Sequence, residues 1–487
     1  MNTVQIIAKN TIALVISSIA NMVMGFFFTM YVARYVGVDG FGILSFAIAV
    51  TSIFSVLTHL GLNQLTIREV ARDRALAGKY LANITTFKII LSVLTFTAIA
   101  LYATFMGYQQ QTIMVVYIIT LATIADGFSQ SFFSIFQAYE RMEFVTLAGV
   151  LSTVLRLAGA LFVISHGFDL IAIAFAYFVS SVATLSWSYA ISTWKFTRLP
   201  LQLDFSFLKG ALAKSWPLGL ITALSALSTW IGTVILKGVK GDEAVGYYNA
   251  AYRIESFLLF ISVAYSSAIF PAMSRLYVSS IHSLKAAFEK SVKYLMIFGV
   301  PLGIGTALLA NKLIILIYGA QFANSAGVLR ILMLPLVFDF VGPIFGQLFV
   351  SLNKQITVLK VTIISTALNI TLNLLLIPRY SYIGASIAVA TTQFVALNIM
   401  YVLSFRMGYG FSGKKVIDIA KALPAGVIMG IFAIFLFKLP LWYLIPISAV
   451  VYFVVLFMIR AIDKDDIQML RSTIQKREIS PNANAVQ

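Results

Sequence analysis

The stretch RYVGVDGFG, Arg34 to Gly42, lies between two long apolar runs, and its G-x-[DE]-x-x-G pattern returns in GDEAVG, Gly241 to Gly246. Gly37, Asp39 and Gly42 match Gly241, Glu243 and Gly246 at a shift of 204 positions. A glycine loop that cradles a dinucleotide needs G-x-G-x-x-G between a strand and a soluble helix. Here the flanks are apolar runs of membrane-spanning length, so the segment reads as a turn joining two spans. Its glycines supply positive φ angles and close helix approach, and its acid is placed to cap the following helix.

The composition agrees with that reading. Of 487 residues, 60% are hydrophobic and 11% charged, with a mean hydropathy of +0.93, more apolar surface than a water-soluble core of this size buries. A bilayer core about 30 Å thick takes roughly 20 apolar residues per helix. Fourteen spans are expected, over 10–33, 41–63, 82–106, 112–137, 145–165, 168–191, 215–236, 247–272, 291–311, 326–352, 356–377, 382–404, 417–437 and 441–461. The first run is too long for a signal h-region and is followed by Arg34 instead of a small-residue cleavage site, so it is expected to stay in the protein. With no cysteine, the chain has no thiolate metal site, thiol nucleophile or disulfide.

The net charge of +17 does not point to nucleic acid, because its distribution follows the spans. With the N-terminus inside, the cytoplasmic segments outnumber the outer ones in Lys and Arg by roughly three to one, with clusters such as Arg68, Arg72, Arg74, Lys79 and Arg406, Lys414, Lys415, Lys421. Both termini are therefore expected in the cytoplasm of a multi-pass cell-membrane protein. The basic surface faces membrane lipid headgroups.

The repeat extends beyond the turn. Lys88 pairs with Lys293 at a shift of 205, and at 213 Asp126 pairs with Asp339, Phe132 with Phe345, Phe136 with Phe349 and Thr153 with Thr366. The expected fold is all-α: two parallel, pseudo-symmetric six-helix lobes around a central cavity, plus two C-terminal helices. Residues 1–191 form the first lobe, 192–214 a cytoplasmic linker, 215–404 the second lobe, 405–461 spans 13 and 14, and 462–487 a cytoplasmic tail. Two-lobed repeats are a transporter signature, with the substrate site at their interface near mid-membrane.

Through ARYVGVDGFGILSFA at 33–47, NLLLIPRYSYIGASIAVATTQ at 373–393 and the fourteen-span layout, the chain resembles the polysaccharide and oligosaccharide flippases of the multidrug/oligosaccharidyl-lipid/polysaccharide exporter superfamily. The resemblance covers nearly the whole chain. It implies a non-enzymatic transporter whose cavity opens alternately to each side, moving a polyprenyl-phosphate- or polyprenyl-pyrophosphate-linked sugar to the outer leaflet, with coupling to an Na⁺ or H⁺ gradient and no other cofactor. It implies polymerase or glycosyltransferase partners and a monomer. In the lipid II branch, arginines of span 1 face the cavity; here span 1 carries only Asn21 at mid-depth.

Charge inside the bilayer singles out candidates from the residues themselves, since an Asp, Lys or Arg at a helix centre costs about 2.5 to 3.5 kcal/mol on insertion scales and therefore faces a cavity or a partner. Asp126, with Gln130 one turn on, and Asp339, with Gln347 two turns on, occupy equivalent places in the two lobes. Each reads either as a protonated carboxyl joining helices or as a cation or proton site. Arg156 is a planar cation suited to a phosphate oxyanion, the alternative being an interhelical pair with Asp126; its counterparts are Asn369 and Asn373. Tyr248, Tyr252 and Glu255 lie at i, i+4 and i+7 beside Arg253, as a glycan contact or as an interfacial belt. Arg330 is similarly ambiguous. Lys88 and Lys360 read as snorkelling side chains or as a basic rim for the lipid phosphate. Together Asp126, Asp339 and Glu255 are the ion-coupling candidates, and Arg156, Arg253, Arg330, Lys88, Tyr248, Tyr252, Asn369 and Asn373 the substrate-binding ones. Prolines at 217, 271, 301, 335 and 343 mark kinks or moving parts.

Other patterns fail. GYGFSGKK, 408–415, ends in lysine where a phosphate-binding loop needs Ser or Thr, and His59, His166 and His282 are scattered, so no metal site is expected. A membrane glycan polymerase or glycosyltransferase calls for a sizeable extramembrane loop that the chain lacks. A cation-coupled multidrug antiporter shares the layout, but a mid-membrane Arg156 repels cationic drugs.

Overall fold

The computed structural model describes residues 3–197 and 202–461, and for 3–17 and 414 the backbone alone. The expected tail, 462–487, and residues 198–201 of the linker lie outside the described residues. The described chain is helical throughout: α1 Thr3–His59, α2 Leu62–Arg72, α3 Ala77–Phe105, α4 Gln110–Ala138, α5 Met142–Ser165, α6 Leu170–Lys195, α7 Phe205–Ser279, α8 Ile281–Tyr318, α9 Ser325–Ser351, α10 Gln355–Ser404, α11 Gly413–Ala420, α12 Ala422–Phe435 and α13 Leu441–Met458, with short 3₁₀ and π turns between some of them. Side chains start several of these helices. Asp169 accepts from the Ala172 amide at α6, Asp204 from Ser206 and Phe207 at α7, and Ser280 from Ser283 at α8.

Eleven helices among the described residues are long and apolar enough to cross a membrane, where fourteen separate spans are expected. The difference has a local cause. In α1, α7 and α10 one helix runs into the next through a single residue of non-helical backbone: Gly37 (φ 73°), Gly241 (φ 83°) and Ser381 (φ 52°). The peptide units on either side keep their helical bonds, so what the sequence presents as a turn between spans is a break one residue wide. Two of the three breaks carry the first glycine of the repeated motif, in the left-handed region that glycine enters without steric cost.

Helices α1 to α6 pack mainly on one another, α7 to α10 do the same, and α12 and α13 lie against α8; the two groups meet chiefly along α1 and α7. At the end bearing the motifs, the second glycine of each copy lies against the backbone of the other. A Cβ on Gly42 would stand 2.0 Å from the Asp242 carbonyl oxygen, and one on Gly246 would stand 2.2 Å from that of Val38. The contact is reciprocal, as the sequence repeat requires. At the opposite end, a Cβ on Gly61 would meet the Ser215 carbonyl oxygen at 2.5 Å and one on Gly219 the Leu60 carbonyl carbon at 2.8 Å. Between these ends the Phe26 and Phe257 rings sit 4.8 Å apart. The two bundles therefore touch at both ends of their shared seam.

Polar groups reinforce the motif end. Arg34 donates to the carbonyls of Ile317 (2.8 Å) and Leu316 on α8, and Gln321 donates back to the Arg34 carbonyl. Lys237 is paired with Asp242 and lies over the rings of Phe46 and Tyr108 in the first bundle. The acid of the motif does not act as expected: Glu243 accepts from the Tyr247 hydroxyl, and among the described residues Asp39 makes no capping hydrogen bond.

The steric reading yields a test. Gly42→Ala and Gly246→Ala each force two backbones apart and are expected to lower the melting temperature of the purified protein, at a cost of about 1 to 3 kcal/mol. Gly238→Ala, whose Cβ meets nothing within 4 Å, leaves it unchanged or slightly higher.

Candidate functional site

Each bundle carries an ionisable centre at its repeat-related aspartate, and the two centres differ. In the first, the Arg156 guanidinium of α5 donates to Asp126 Oδ2 on α4 at 2.7 Å, to the Tyr177 hydroxyl at 2.8 Å and to Ser180 and Ser181 on α6 at 3.2 and 3.4 Å. It also lies 3.9 Å from the Tyr177 ring centroid. Of the two readings open in the sequence, the interhelical pair is the observed one. All three guanidinium nitrogens are engaged, through four of the five N–H donors. The pair is not sealed, for the side chains remain 22% and 32% exposed. One turn along α5, Thr153 donates to Asn21 of α1, tying this centre to the seam between bundles.

The centre in the second bundle has carboxyls that form no ion pair with a cation among the described residues. Glu255 of α7 is fully buried, Asp339 of α9 lies within electrostatic reach of it, and Gln393 of α10 neighbours Glu255. Both Glu255 carboxyl oxygens, Asp339 Oδ2 and Gln393 Oε1 are buried without a hydrogen-bond partner among the described residues. Gln393 approaches Glu255 without meeting hydrogen-bond geometry. An unpaired buried carboxylate is costly in a low-dielectric interior, so this centre calls for a proton or a bound cation.

Around it, Tyr248 and Tyr252 stack with ring centroids 5.9 Å apart, and Tyr248 is buried, which is not the placement of an interfacial belt. The Arg253 guanidinium lies 5.8 Å from the Trp230 ring and makes no hydrogen bond among the described residues. Asn373 donates to Asn369 and packs against Gly232, so these two are engaged with each other within α10. Arg330, Lys360 and Gln130 are exposed.

Lys88 corrects the snorkelling expectation. Its ammonium is enclosed and donates to Asn63 of α2 (3.0 Å) and to the Gly127 carbonyl (2.9 Å) and Ser131 hydroxyl (2.7 Å) of α4. Three neutral acceptors replace water, and the lysine fastens the amphipathic α2, whose Leu62, Leu65 and Val70 are buried, to the bundle. The exposed pair of Arg68 and Glu69 on α2, which holds the Glu69 carboxyl below its ordinary range, adds little to that anchorage. The repeat counterpart, Lys293, is likewise buried. Tyr177, Ser180, Ser181, Gln393 and Asn63 were not singled out from sequence. For the first three the signal was present as a polar face at i, i+3 and i+4 on α6.

The Arg156 centre yields a stability test. Arg156→Gln alone leaves Asp126 uncompensated and is expected to cost about 2 to 3 kcal/mol, less than a fully buried pair because both side chains are part-exposed. Adding Asp126→Asn to the same chain recovers much of that loss in a thermal-unfolding double-mutant cycle.

Comparison with known proteins places this architecture. The family model described as polysaccharide biosynthesis protein matches residues 7–277, and the MatE model matches 217–375. A curated relative in Haloferax volcanii, the probable low-salt glycan biosynthesis flippase Agl15, is 22% identical over 87% of this chain and 89% of its own. The capsular polysaccharide biosynthesis protein CapF of Staphylococcus aureus is 23% identical over 81% and 98%. Among solved structures, the lipid II flippase MurJ in an inward closed conformation superposes with a TM-score of 0.76 at 17% identity, over 92% of this chain and 99% of that one. An inward-facing multidrug resistance MATE family transporter follows at 0.66, over 80% and 94%. At these identities the structures establish the fold.

Proposed function

The chain belongs to the polysaccharide biosynthesis protein family, and from that premise we propose that it is a flippase carrying a polyprenyl-phosphate- or polyprenyl-pyrophosphate-linked oligosaccharide from the cytoplasmic to the outer leaflet. The observation that carries the reading is the match, along most of both chains, to relatives named for glycan flipping and polysaccharide biosynthesis. The motif end of the seam is the outer side and both termini are cytoplasmic, supported by the roughly three-to-one excess of Lys and Arg in the segments assigned inside. Alternating access consists of parting α1 from α7 at one end while the other stays shut. Transport of this kind makes and breaks no covalent bond in the substrate. The lipid-linked glycan is supplied and consumed by glycosyltransferase or polymerase partners, while the flippase works as a monomer.

Charge assigns the roles within the bundles. Asp126 already has Arg156 as its counter-ion, so the coupling proton or Na⁺ belongs to Glu255 and Asp339, whose carboxyls lack one. Arg253, with its guanidinium hydrogens unspent, is the phosphate ligand, and Tyr252 beside it offers an aromatic face to sugar. The multidrug-antiporter alternative draws support from the MatE match over 217–375.

Proteoliposomes separate these readings. The wild type is expected to move lipid-linked oligosaccharide and to leave cationic dyes behind; dye transport without glycan transport overturns the proposal. Glu255→Gln with Asp339→Asn abolishes the dependence of flipping on the imposed gradient, whereas Asp126→Asn with Arg156→Gln retains it. Arg253→Ala lowers flipping at least tenfold, about 1.4 kcal/mol of lost phosphate contact.

A further inference from the structure

Helices α12 and α13 fall outside the duplicated lobes, and among the described residues they pack chiefly on each other and on one helix, α8. Whatever they do to the rest of the chain passes through that helix. α8 in turn reaches the first bundle at the motif end, where Arg34 binds it. A series of contacts along α8 joins the two.

The series begins at a proline. Pro301 has no amide proton, so the carbonyl four residues back, that of Ile297, loses its helical donor, and the ring opens the helix at that point. The hydroxyl of Tyr452 on α13, a fully buried side chain, donates to the same Ile297 carbonyl at 2.8 Å. The hairpin thus supplies the donor that proline removed. Over the following turns the helices lie close: a Cβ on Gly426 would stand 2.5 Å from Val300 Cγ1, and one on Gly430 would stand 3.1 Å from Leu308 Cδ1. Lys312 then donates to the carbonyls of Phe437 and Leu439, between α12 and α13. One turn further on, α8 ends. The Leu316 and Ile317 carbonyls of its last turn lack a helical amide to accept from, and they take the Arg34 guanidinium from across the seam. Around that contact the Phe41 and Tyr318 rings lie 6.3 Å apart, and Gln321 donates back to the Arg34 carbonyl.

We propose that the α12–α13 hairpin is a brace: by filling the Ile297 carbonyl and gripping α8 as far as Lys312, it sets the helix end where Arg34 latches the seam. Tyr452 is in this sense a positioning residue. It acts on the latch through roughly 30 Å of α8, so its removal is felt at a contact it does not touch.

The chain has no cysteine, so spin labels enter at chosen positions alone. Labels on Gln111→Cys of α4 and Ala323→Cys beyond the end of α8, both exposed positions, report the separation of the bundles at the motif end. Double electron–electron resonance on the purified full-length protein is expected to give one short-distance population. Arg34→Ala and Tyr452→Phe each shift it toward longer separations, while Tyr443→Phe, on an exposed part of α13, leaves it unchanged. Melting gives a second readout. Tyr452→Phe lowers Tm by about 2 °C, and adding Pro301→Ala, which returns an amide donor to Ile297, removes that penalty. An unchanged distance distribution in either Arg34→Ala or Tyr452→Phe overturns the proposal, as does a Tyr452→Phe penalty of equal size with and without Pro301. Should Tyr452→Phe fail to elute as a single species, Lys312→Met reads the same brace: longer separations support the inference and an unchanged distribution overturns it. No step measures transport, so the outcome is independent of the flippase reading.

Discussion

Two backbones that run past each other without side chains between them hold this molecule at its motif end. Gly42 lies on Asp242 and Gly246 on Val38, at separations that admit no Cβ. Close approach of this kind gives helices packed in lipid their dispersion contacts where no hydrophobic effect distinguishes neighbour from solvent. Because each copy of the motif supplies both the glycine and the surface it meets, the two bundles align about an approximate two-fold relation. The Gly61 and Gly219 contacts close the other end of the seam in the same manner. The seam is shut by small residues and a few polar ties such as Arg34 to α8.

The duplicated scaffold then carries unequal chemistry. At repeat-related positions, Asp126 meets an arginine and Asp339 meets a second carboxyl. The first arrangement is neutral as built and binds three helices together. The second is incomplete without a proton or a cation. Lys88, enclosed by neutral acceptors, gives the first bundle a polar interior of its own. One bundle is thus cross-tied by ionic and hydroxyl contacts while the other keeps unpaired acids, and the difference arose on a common backbone plan.

Much of this was legible in the chain alone. Apolar runs of spanning length, the paired G-x-[DE]-x-x-G motifs and the matched aspartates point to a duplicated helical membrane protein, because lipid permits few other ways to satisfy a backbone. The boundaries between spans were less legible: Gly37, Gly241 and Ser381 break their helices at one residue, and nothing in composition separates such a break from a longer turn. Lys88 looked like a snorkelling side chain because depth can be read from sequence position while enclosure cannot.

What the sequence by itself determined is the solvent the chain must live in and the places where charge or missing side chains would have to be accommodated. Hydropathy and repeat spacing are properties of local segments, and the bilayer imposes its terms on each segment separately. Partnership was decided only by the tertiary structure. Arg156 finds Asp126, Tyr177 and two serines on neighbouring helices, Glu255 finds another acid, and Gly42 finds the backbone of Asp242 some two hundred positions away. Each of these depends on the rotation and approach of whole helices, which are set by the summed packing of many side chains and written in no single stretch of the chain.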